Sequence, residues 1–259
     1  MQHSPQYIIG FTAVVCLVCA VFVAGSAVSL KERQDANIVL DRQKKVLIVS
    51  GLMGERDKLS ATEITELFKA RVTPRAVTLA SGDYDDAIDA ATYDQRKAAK
   101  DPARSAAVPP NAAKVRRVPT VGLVFQVRSG SGAVEAIIIP IEGMGLWSTL
   151  YGYLALGPDT RTIKGITFYE HGETPGLGGE VDNAHWKSRW KGRLAFDERW
   201  VPRIGVIKGM AGSVEDDPYR VDGLSGATIT SRGVDSLVKY WLGDSGFGPY
   251  LAKVRAEQG

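Results

Sequence analysis

Residues 121–141 read VGLVFQVRSGSGAVEAIIIPI, and the fold class turns on this stretch. Two β-prone apolar runs, Val121 to Val127 and Val134 to Ile141, are separated by Ser129-Gly130-Ser131-Gly132, which has the size and glycine content of a hairpin loop. Strands joined so closely must pair antiparallel. Further along, Ile163 to Tyr169 reads as a third strand and Arg203 to Lys208 as a fourth. Short helices are predicted over Leu146 to Leu154 and around Ala184 to Trp190, where Trp186 and Trp190 stand one helical turn apart. Val234, Leu237, Val238 and Trp241 occupy i, i+3, i+4 and i+7, which predicts an amphipathic last helix ended by Gly243. Hairpin-linked strands with interspersed helices, without regular βαβ alternation, predict an α+β domain with a largely antiparallel sheet and flanking helices.

Before the hairpin the pattern is more broken. Ser60-Ala61-Thr62-Glu63 reads as a capping box opening a helix from about Ala61 to Arg71, which ends ahead of Pro74. Arg75 to Ala80 alternates as a short strand. Tyr84 to Lys100, rich in Ala, Asp and Lys, is predicted as a solvated helix with Ile88 as its main apolar anchor. Asp101 to Arg117 holds Pro102, Pro109 and Pro110 and is read as a linker or long loop. Arg96, Lys97, Lys100, Arg104, Lys114, Arg116 and Arg117 make this region basic, and a solvated face is the first reading of it, ahead of a membrane or partner patch.

Ile8 to Leu30 carries no charge. As a helix it spans roughly 34 Å, slightly more than a bilayer core of about 30 Å, so one retained transmembrane helix is predicted. A cleaved signal peptide is the competing reading through Ala24-Gly25-Ser26, but no Lys or Arg precedes Ile8. Ala36, Val39, Gln43, Val46, Leu47 and Ser50 continue the helical spacing, with Gly51 placed as terminator. Three parts are therefore expected: an anchor over 1–30, a helical and mixed region with linker over 31–117, and a motif-bearing domain over 118–259. Lys31, Arg33, Arg42, Lys44 and Lys45 follow the apolar run, so the positive-inside count alone puts the carboxyl side in the cytoplasm.

The chain has 259 residues and a net charge of only +3, too little excess to argue for nucleic acid. Its two cysteines, Cys16 and Cys19, lie inside the apolar run and read as filler there. Three histidines and no other thiol make zinc, iron–sulfur and cysteine-nucleophile chemistry poor candidates, so redox chemistry would need an added cofactor.

Asp222-Gly223-Leu224-Ser225-Gly226-Ala227-Thr228-Ile229-Thr230 precedes the last helix. Small and hydroxylic residues at a helix N-terminus expose N–H groups to a phosphate. By itself the segment is read first as a plain N-cap made by Ser225, and second as such a cradle. A hydrolase elbow is set aside, because Ala227 stands where the elbow has glycine and both His171 and His185 precede the serine.

Asp222 to Thr228 resembles the Asp-x-x-Ser/Thr-Gly-Ala-Thr acceptor motif for covalent flavin attachment. Gly143-Met144-Gly145-Leu146-Trp147-Ser148 resembles the upstream turn of FMN-binding domains, and Glu173-Thr174-Pro175-Gly176-Leu177-Gly178 resembles the loop over the flavin. With Tyr93 to Pro102, Leu40 to Lys45 and the single anchor, nearly the whole chain is similar to the C subunits of bacterial sodium-translocating NADH:quinone oxidoreductases. The homologous G subunit of Rnf-type ion-translocating oxidoreductases is the nearest alternative family.

The resemblance implies FMN held as a phosphoester on Thr228, with Asp222, Ser225, Gly226 and Ala227 around the phosphate. It implies Trp147, Ser148, Glu173, Thr174, Leu177 and Gly178 at the flavin, and Lys208 as a cation near it. The protein would tether and tune the cofactor. It further implies a one-electron carrier between the other subunits, with no complete active site on this chain, no metal and no nucleic acid. Maturation by a flavin transferase, contact with membrane lipid, and a single pass through the inner membrane with the soluble domain in the periplasm complete the implication. On topology the resemblance is followed over the charge count. A membrane-anchored binding or assembly module without covalent flavin is the alternative from a different functional class.

Overall fold

The computed structural model describes residues 4–257. The chain divides into two compact units, Met1–Arg42 and Gln43–Gly259. In the first, helix α1 (Pro5–Ser50) begins. Ile9, Val14, Leu17, Val21, Phe22 and Val23 are all exposed along it, the surface expected of a helix whose solvent is lipid. Among the described residues this is the one helix long and apolar enough to cross a membrane. Cys16 and Cys19 are free and exposed on it. Met1 to His3, the start of the anchor expected over 1–30, lie outside the described residues.

In the second unit the end of α1 buries Val46, Leu47 and Val49. Gly51, at φ +83°, ends the helix in the left-handed region that glycine enters freely, and Leu52 and Met53 both donate their N–H groups to the Leu47 carbonyl. Then follow α2 (Ala61–Arg71), β1 (Val72–Thr78), α3 (Gln95–Lys100), β2 (Ser105–Ala107), β3 (Arg117–Pro119), β4 (Val121–Arg128), β5 (Val134–Met144), β6 (Thr149–Leu156) and β7 (Ile163–Glu170). A 3-10 turn over Gly178–Asp182 leads to α4 (Ala184–Ser188), β8 (Gly205–Val206), β9 (Arg220–Val221), α5 (Thr228–Leu242) and α6 (Gly248–Ala256). The main sheet is antiparallel throughout, in the order β1-β4-β5-β6-β7. The α+β expectation holds.

The 121–141 hairpin forms as read, with Gly132 at φ +86° closing the loop. The run Ala136 to Ile139 is buried at every residue because both sheet faces are covered. One face meets Val234, Leu237, Val238 and Trp241 of α5 together with Phe247, Tyr250 and Leu251, in one core cluster. On the other face Phe125 packs edge-on against Phe68 of α2 and Tyr153 of β6, at 6.2 and 5.7 Å between ring centroids. The capping box is present: Glu63 N–H donates to the Ser60 hydroxyl and Ser60 N–H to the Glu63 carboxylate at 2.7 Å.

Five readings are corrected. Leu146 to Leu154 is not a helix. Its apolar run is the central strand β6, since a short buried run has the same composition in either state and pairing with β5 and β7 decides. Tyr84 to Lys100 is helical only over α3, because the carboxylates of Asp85 and Asp89 accept the N–H groups of Ala87 and Ala91 two residues on, bonding that competes with a helix. The strand expected over Arg203 to Lys208 shrinks to β8, paired in parallel with β9. Inside the loop expected over Asp101 to Arg117, β2 forms and pairs with β3. Pro74 sits inside β1 rather than ahead of it, which an edge strand tolerates. The sheet thus draws β1 from residues 31–117 and its other four strands from 118–259.

Candidate functional site

The segment Asp222 to Ala227 folds back on the first turn of α5. Leu224 donates its N–H to the Ser231 hydroxyl at 2.9 Å, and Ala227 donates to the Leu224 carbonyl at 3.2 Å. Gly226 makes the bend at φ +69°, and a β-carbon there would also come within 3.1 Å of Leu177. Ala227 is the N-cap residue and contributes no capping side chain, so the Ser225 N-cap reading is corrected. The first-turn N–H groups are therefore left without a side-chain acceptor. Thr228 is the first helical residue and is exposed, as are Ser225 and Gly226.

Asp222 is committed elsewhere. Its carboxylate accepts Ala211 N–H at 2.8 Å and lies 3.7 Å from Arg189, while its carbonyl accepts the Trp186 indole N–H at 2.8 Å. Gly223 N–H donates to Gly209, and a β-carbon on Gly223 would fall 2.3 Å from the Ile207 carbonyl, so the 207–210 loop is pinned against the segment. Lys208 is exposed on that loop.

Glu173, only 5% exposed, ties the second and third motifs to α5. Its Oε1 accepts the N–H groups of Trp147 and Ser148 at 3.0 and 3.1 Å, and its Oε2 accepts that of Leu146 at 3.1 Å. The Thr230 hydroxyl donates to Oε2 at 2.6 Å. Burial pushes this carboxyl up, but the Thr230 bond and the three backbone donors outweigh it and hold the carboxyl below the ordinary glutamate range. Around the carboxylate the backbone comes too close for side chains: a β-carbon on Gly145 would lie 2.7 Å from Oε1, and one on Gly178 2.6 Å from the Thr230 hydroxyl. Ser148 completes the clamp by accepting Gly172 N–H at 2.7 Å.

These motifs coincide with a match to the FMN-binding domain family over residues 145–243. The chain is 47% identical over 260 residues to the C subunit of the Na(+)-translocating NADH-quinone reductase of Pseudomonas aeruginosa, covering 98% of this chain and 97% of that one. Against the same subunit of Yersinia pestis it is 44% identical over 93% of this chain and 90% of the other. The chain belongs to the family of Na(+)-translocating NADH-quinone reductase C subunits. Its fold matches the crystal structure of Shewanella oneidensis NqrC with a TM-score of 0.76 at 36% identity, covering 83% of this chain and 97% of that one. The crystal structure of the C subunit from Parabacteroides distasonis matches with a TM-score of 0.66 at 27% identity, over 86% and 96%. The relatives are subunits of an oxidoreductase complex.

In this member of the family the clamp leaves apolar side chains bare. Trp147 is 69% exposed, which excludes core packing. Leu146, Leu177 and Ile229 are also exposed. Thr174 uses its carbonyl to accept Leu177 and Gly179 N–H groups, closing the turn that presents Leu177. Trp147, Leu177, Gly226 and Thr228 are therefore solvent-facing, whereas Glu173, Gly178, Ser148 and Asp222 are the frame beneath. His171, noted in the sequence only as preceding Ser225, is part of that frame. Its Nδ1 accepts Glu173 N–H at 3.2 Å, which leaves the proton on Nε2 for Asp182 at 3.0 Å.

Sequence reasoning did not find the Glu173–Thr230 pair, which joins residues 57 apart in the chain. The available signal was a threonine near the start of an amphipathic helix, with no other assigned use.

Proposed function

We propose that this chain is the electron-transfer subunit of a sodium-pumping NADH:quinone oxidoreductase, carrying FMN as a phosphoester on Thr228 and passing single electrons between other subunits. The observation that carries the reading is the contrast of two hydroxyls on one helix turn. Thr228 is exposed at the amino end of α5 inside the acceptor-like sequence, and Thr230 is 1% exposed and bonded to Glu173.

The residues present fit FMN. Replacing the Thr228 Oγ–H bond by Oγ–P places a phosphate group against the uncapped first turn, where N–H groups and the helix dipole favour negative charge. Ser225, Gly226 and Ala227 narrow the approach, and only glycine lets the chain turn there without strain. Trp147 and Leu177 offer the apolar surface a flavin ring needs, with Thr174 beside Leu177 and Lys208 as the nearby cation. Glu173, Gly178, Ser148 and Asp222 hold these groups in place. The bound flavin would supply one-electron redox chemistry; the protein binds it, fixes its position and sets its surroundings.

We assign the flavin to the 118–259 domain, the connecting region to 31–117, and membrane anchoring to the apolar part of α1 within residues 1–30. The soluble unit is placed on the periplasmic side of the inner membrane, where a flavin transferase would load Thr228. Partners are the other subunits of the complex and the lipid around α1. An alkaline phosphatase fusion at the carboxyl end should be active in cells; an inactive fusion with a fluorescent green fluorescent protein counterpart reverses the topology. Coexpression with a flavin transferase should leave a fluorescent band of this chain on a denaturing gel. A colourless band rejects covalent attachment.

A further inference from the structure

A cleft of about 810 Å³ opens between α3, the loop ahead of β3, and the strands β5 and β6. Arg96, Lys100, Lys114, Arg116 and Arg117 line it against a single carboxylate, Glu142. Two of these cations are fixed in place. Arg96 forms a bidentate pair with Glu170 at 2.5 and 2.9 Å and lies 3.6 Å over the Tyr151 ring. Arg117 donates to the hydroxyl and carbonyl of Ser105 at 2.8 and 2.6 Å. Lys114 and Arg116, by contrast, are exposed at the mouth and have no ion-pair partner among the described residues.

Lys114 is also held in the left-handed region, at φ 54°, where a β-carbon is disfavoured. Asn111 fixes it there. The Asn111 carbonyl accepts Lys114 N–H at 3.1 Å, and the Asn111 amide both accepts from and donates to Val115, at 3.1 and 2.8 Å. Strain of this kind persists where the surroundings over-determine it and clusters at active sites, ligand clamps and switch regions. Burial raises the Glu142 carboxyl against the pull of Arg96 and Lys100.

Met144 and Thr149 form part of the cleft wall, and between them springs the turn that exposes Leu146 and Trp147. The basic cleft and the Trp147 turn are two sides of one strand end. Small-molecule sites are mostly apolar concavities, whereas arginine beside exposed aromatic and apolar surface is the composition of a protein interface.

We propose that this cleft docks an acidic segment of another subunit, which seats on Lys114 and Arg116 and brings that subunit's redox centre to the Trp147 turn. The inference rests on the electron-transfer reading above, and it takes up the second reading of this basic region, a partner patch, in place of the first. Opposite charge across the contact would steer the encounter and fix its register.

The test uses the full chain in its assembled complex. Arg116→p-benzoylphenylalanine should cross-link on illumination to an Asp- and Glu-rich peptide of another subunit. Lys114→Glu with Arg116→Glu should slow electron delivery from NADH to this chain's flavin about ten-fold or more at low salt and flatten its salt dependence, with the flavin content unchanged. Lys69→Glu with Arg199→Glu, exposed cations off the cleft, should leave the rate within about two-fold of wild type. No cross-link to a subunit, or a double-variant rate equal to that control, overturns the proposal. So does saturable protection of position 116 by millimolar pyrophosphate without a protein adduct, which would make the cleft a small-polyanion site. Wild-type chain lacking flavin mass at Thr228 sinks the covalent-flavin reading alone, since the cross-link is still read.

Discussion

The Thr230 hydroxyl donates to the Glu173 carboxylate at 2.6 Å, while Thr228, just ahead of it on the same helix turn, faces solvent. This contrast between two threonines organises the site: one hydroxyl is spent on the frame, and the other is left exposed. Glu173 carries the frame's connectivity, so its chemistry is the first thing to perturb.

Glu173→Gln keeps the size of the side chain but replaces one acceptor oxygen by a donor NH2, which must face either Thr230 or the Trp147 and Ser148 N–H groups. The expected loss is about 1–3 kcal/mol at pH 7 by urea denaturation. The sign with pH follows from the lowered carboxyl. A group whose folded pKa lies below its unfolded value adds stability above the unfolded pKa and loses it as pH falls through the folded one. The gap between wild type and Glu173→Gln should therefore close as pH drops from neutral into the acid range. A gap that widens on acidification would contradict this assignment.

Glu142 has the opposite sign. Its folded carboxyl titrates above the ordinary range because it is buried, so its contribution is present at low pH and lost as pH rises through the folded value. Glu142→Gln should raise the thermal midpoint relative to wild type at pH 8 more than at pH 4. Equal midpoint differences at both pH values would argue against a buried, raised carboxyl.

Gly178→Ala should destabilise by about 1–3 kcal/mol, since its β-carbon would meet the Thr230 hydroxyl at 2.6 Å and Glu173 at 2.7 Å. Gly176→Ala is the comparison. Nothing lies within 4 Å of its β-carbon, and only its φ of +76° is unfavourable, a cost of about 1–2 kcal/mol. Flavin loading should fall in Gly178→Ala and persist in Gly176→Ala; the reverse order would mean that the clamp does not shape the site.

Much of this architecture was legible in the sequence. The capping box at Ser60 and Glu63, the 121–141 hairpin and the α5 stripe from Val234 to Trp241 are local signals that the fold keeps. Leu146 to Leu154 misled because a short buried run reads alike as helix or strand until its neighbours pair with it. Asp85 and Asp89 misled because carboxylates two residues from an N–H compete with the helix that composition suggests. The acceptor-like segment and the exposed Trp147 turn were legible as motifs. Their frame was not, because Glu173, Thr230, Gly145 and Gly178 become meaningful only when elements far apart in the chain are packed together. α6 was missed, its pattern weakened by Gly248 and Pro249 at its start.

Trp147→Ala separates site from core. With the indole 69% exposed, its removal should change stability by no more than about 0.5 kcal/mol, yet shift the absorption band of flavin-loaded chain. Trp241→Ala, from a side chain fully buried, should cost about 3–5 kcal/mol. A large stability loss in Trp147→Ala would place that ring in the core instead.

The covalent bond proposed at Thr228 is tested most directly by the mass of the α5 peptide. Chain coexpressed with a flavin transferase should yield, after proteolysis, a fluorescent peptide containing Thr228 and heavier by FMN less one water. Thr228→Ala should lose the added mass and remain folded, since the exposed helix-start substitution costs at most about 2 kcal/mol. Ser225→Ala should keep the mass. Thr230→Ala should be less stable through loss of the Glu173 bond, with whatever flavin it carries still on Thr228. Flavin mass retained in Thr228→Ala, or mapped by fragmentation to Thr230 or Ser225, would contradict the assignment.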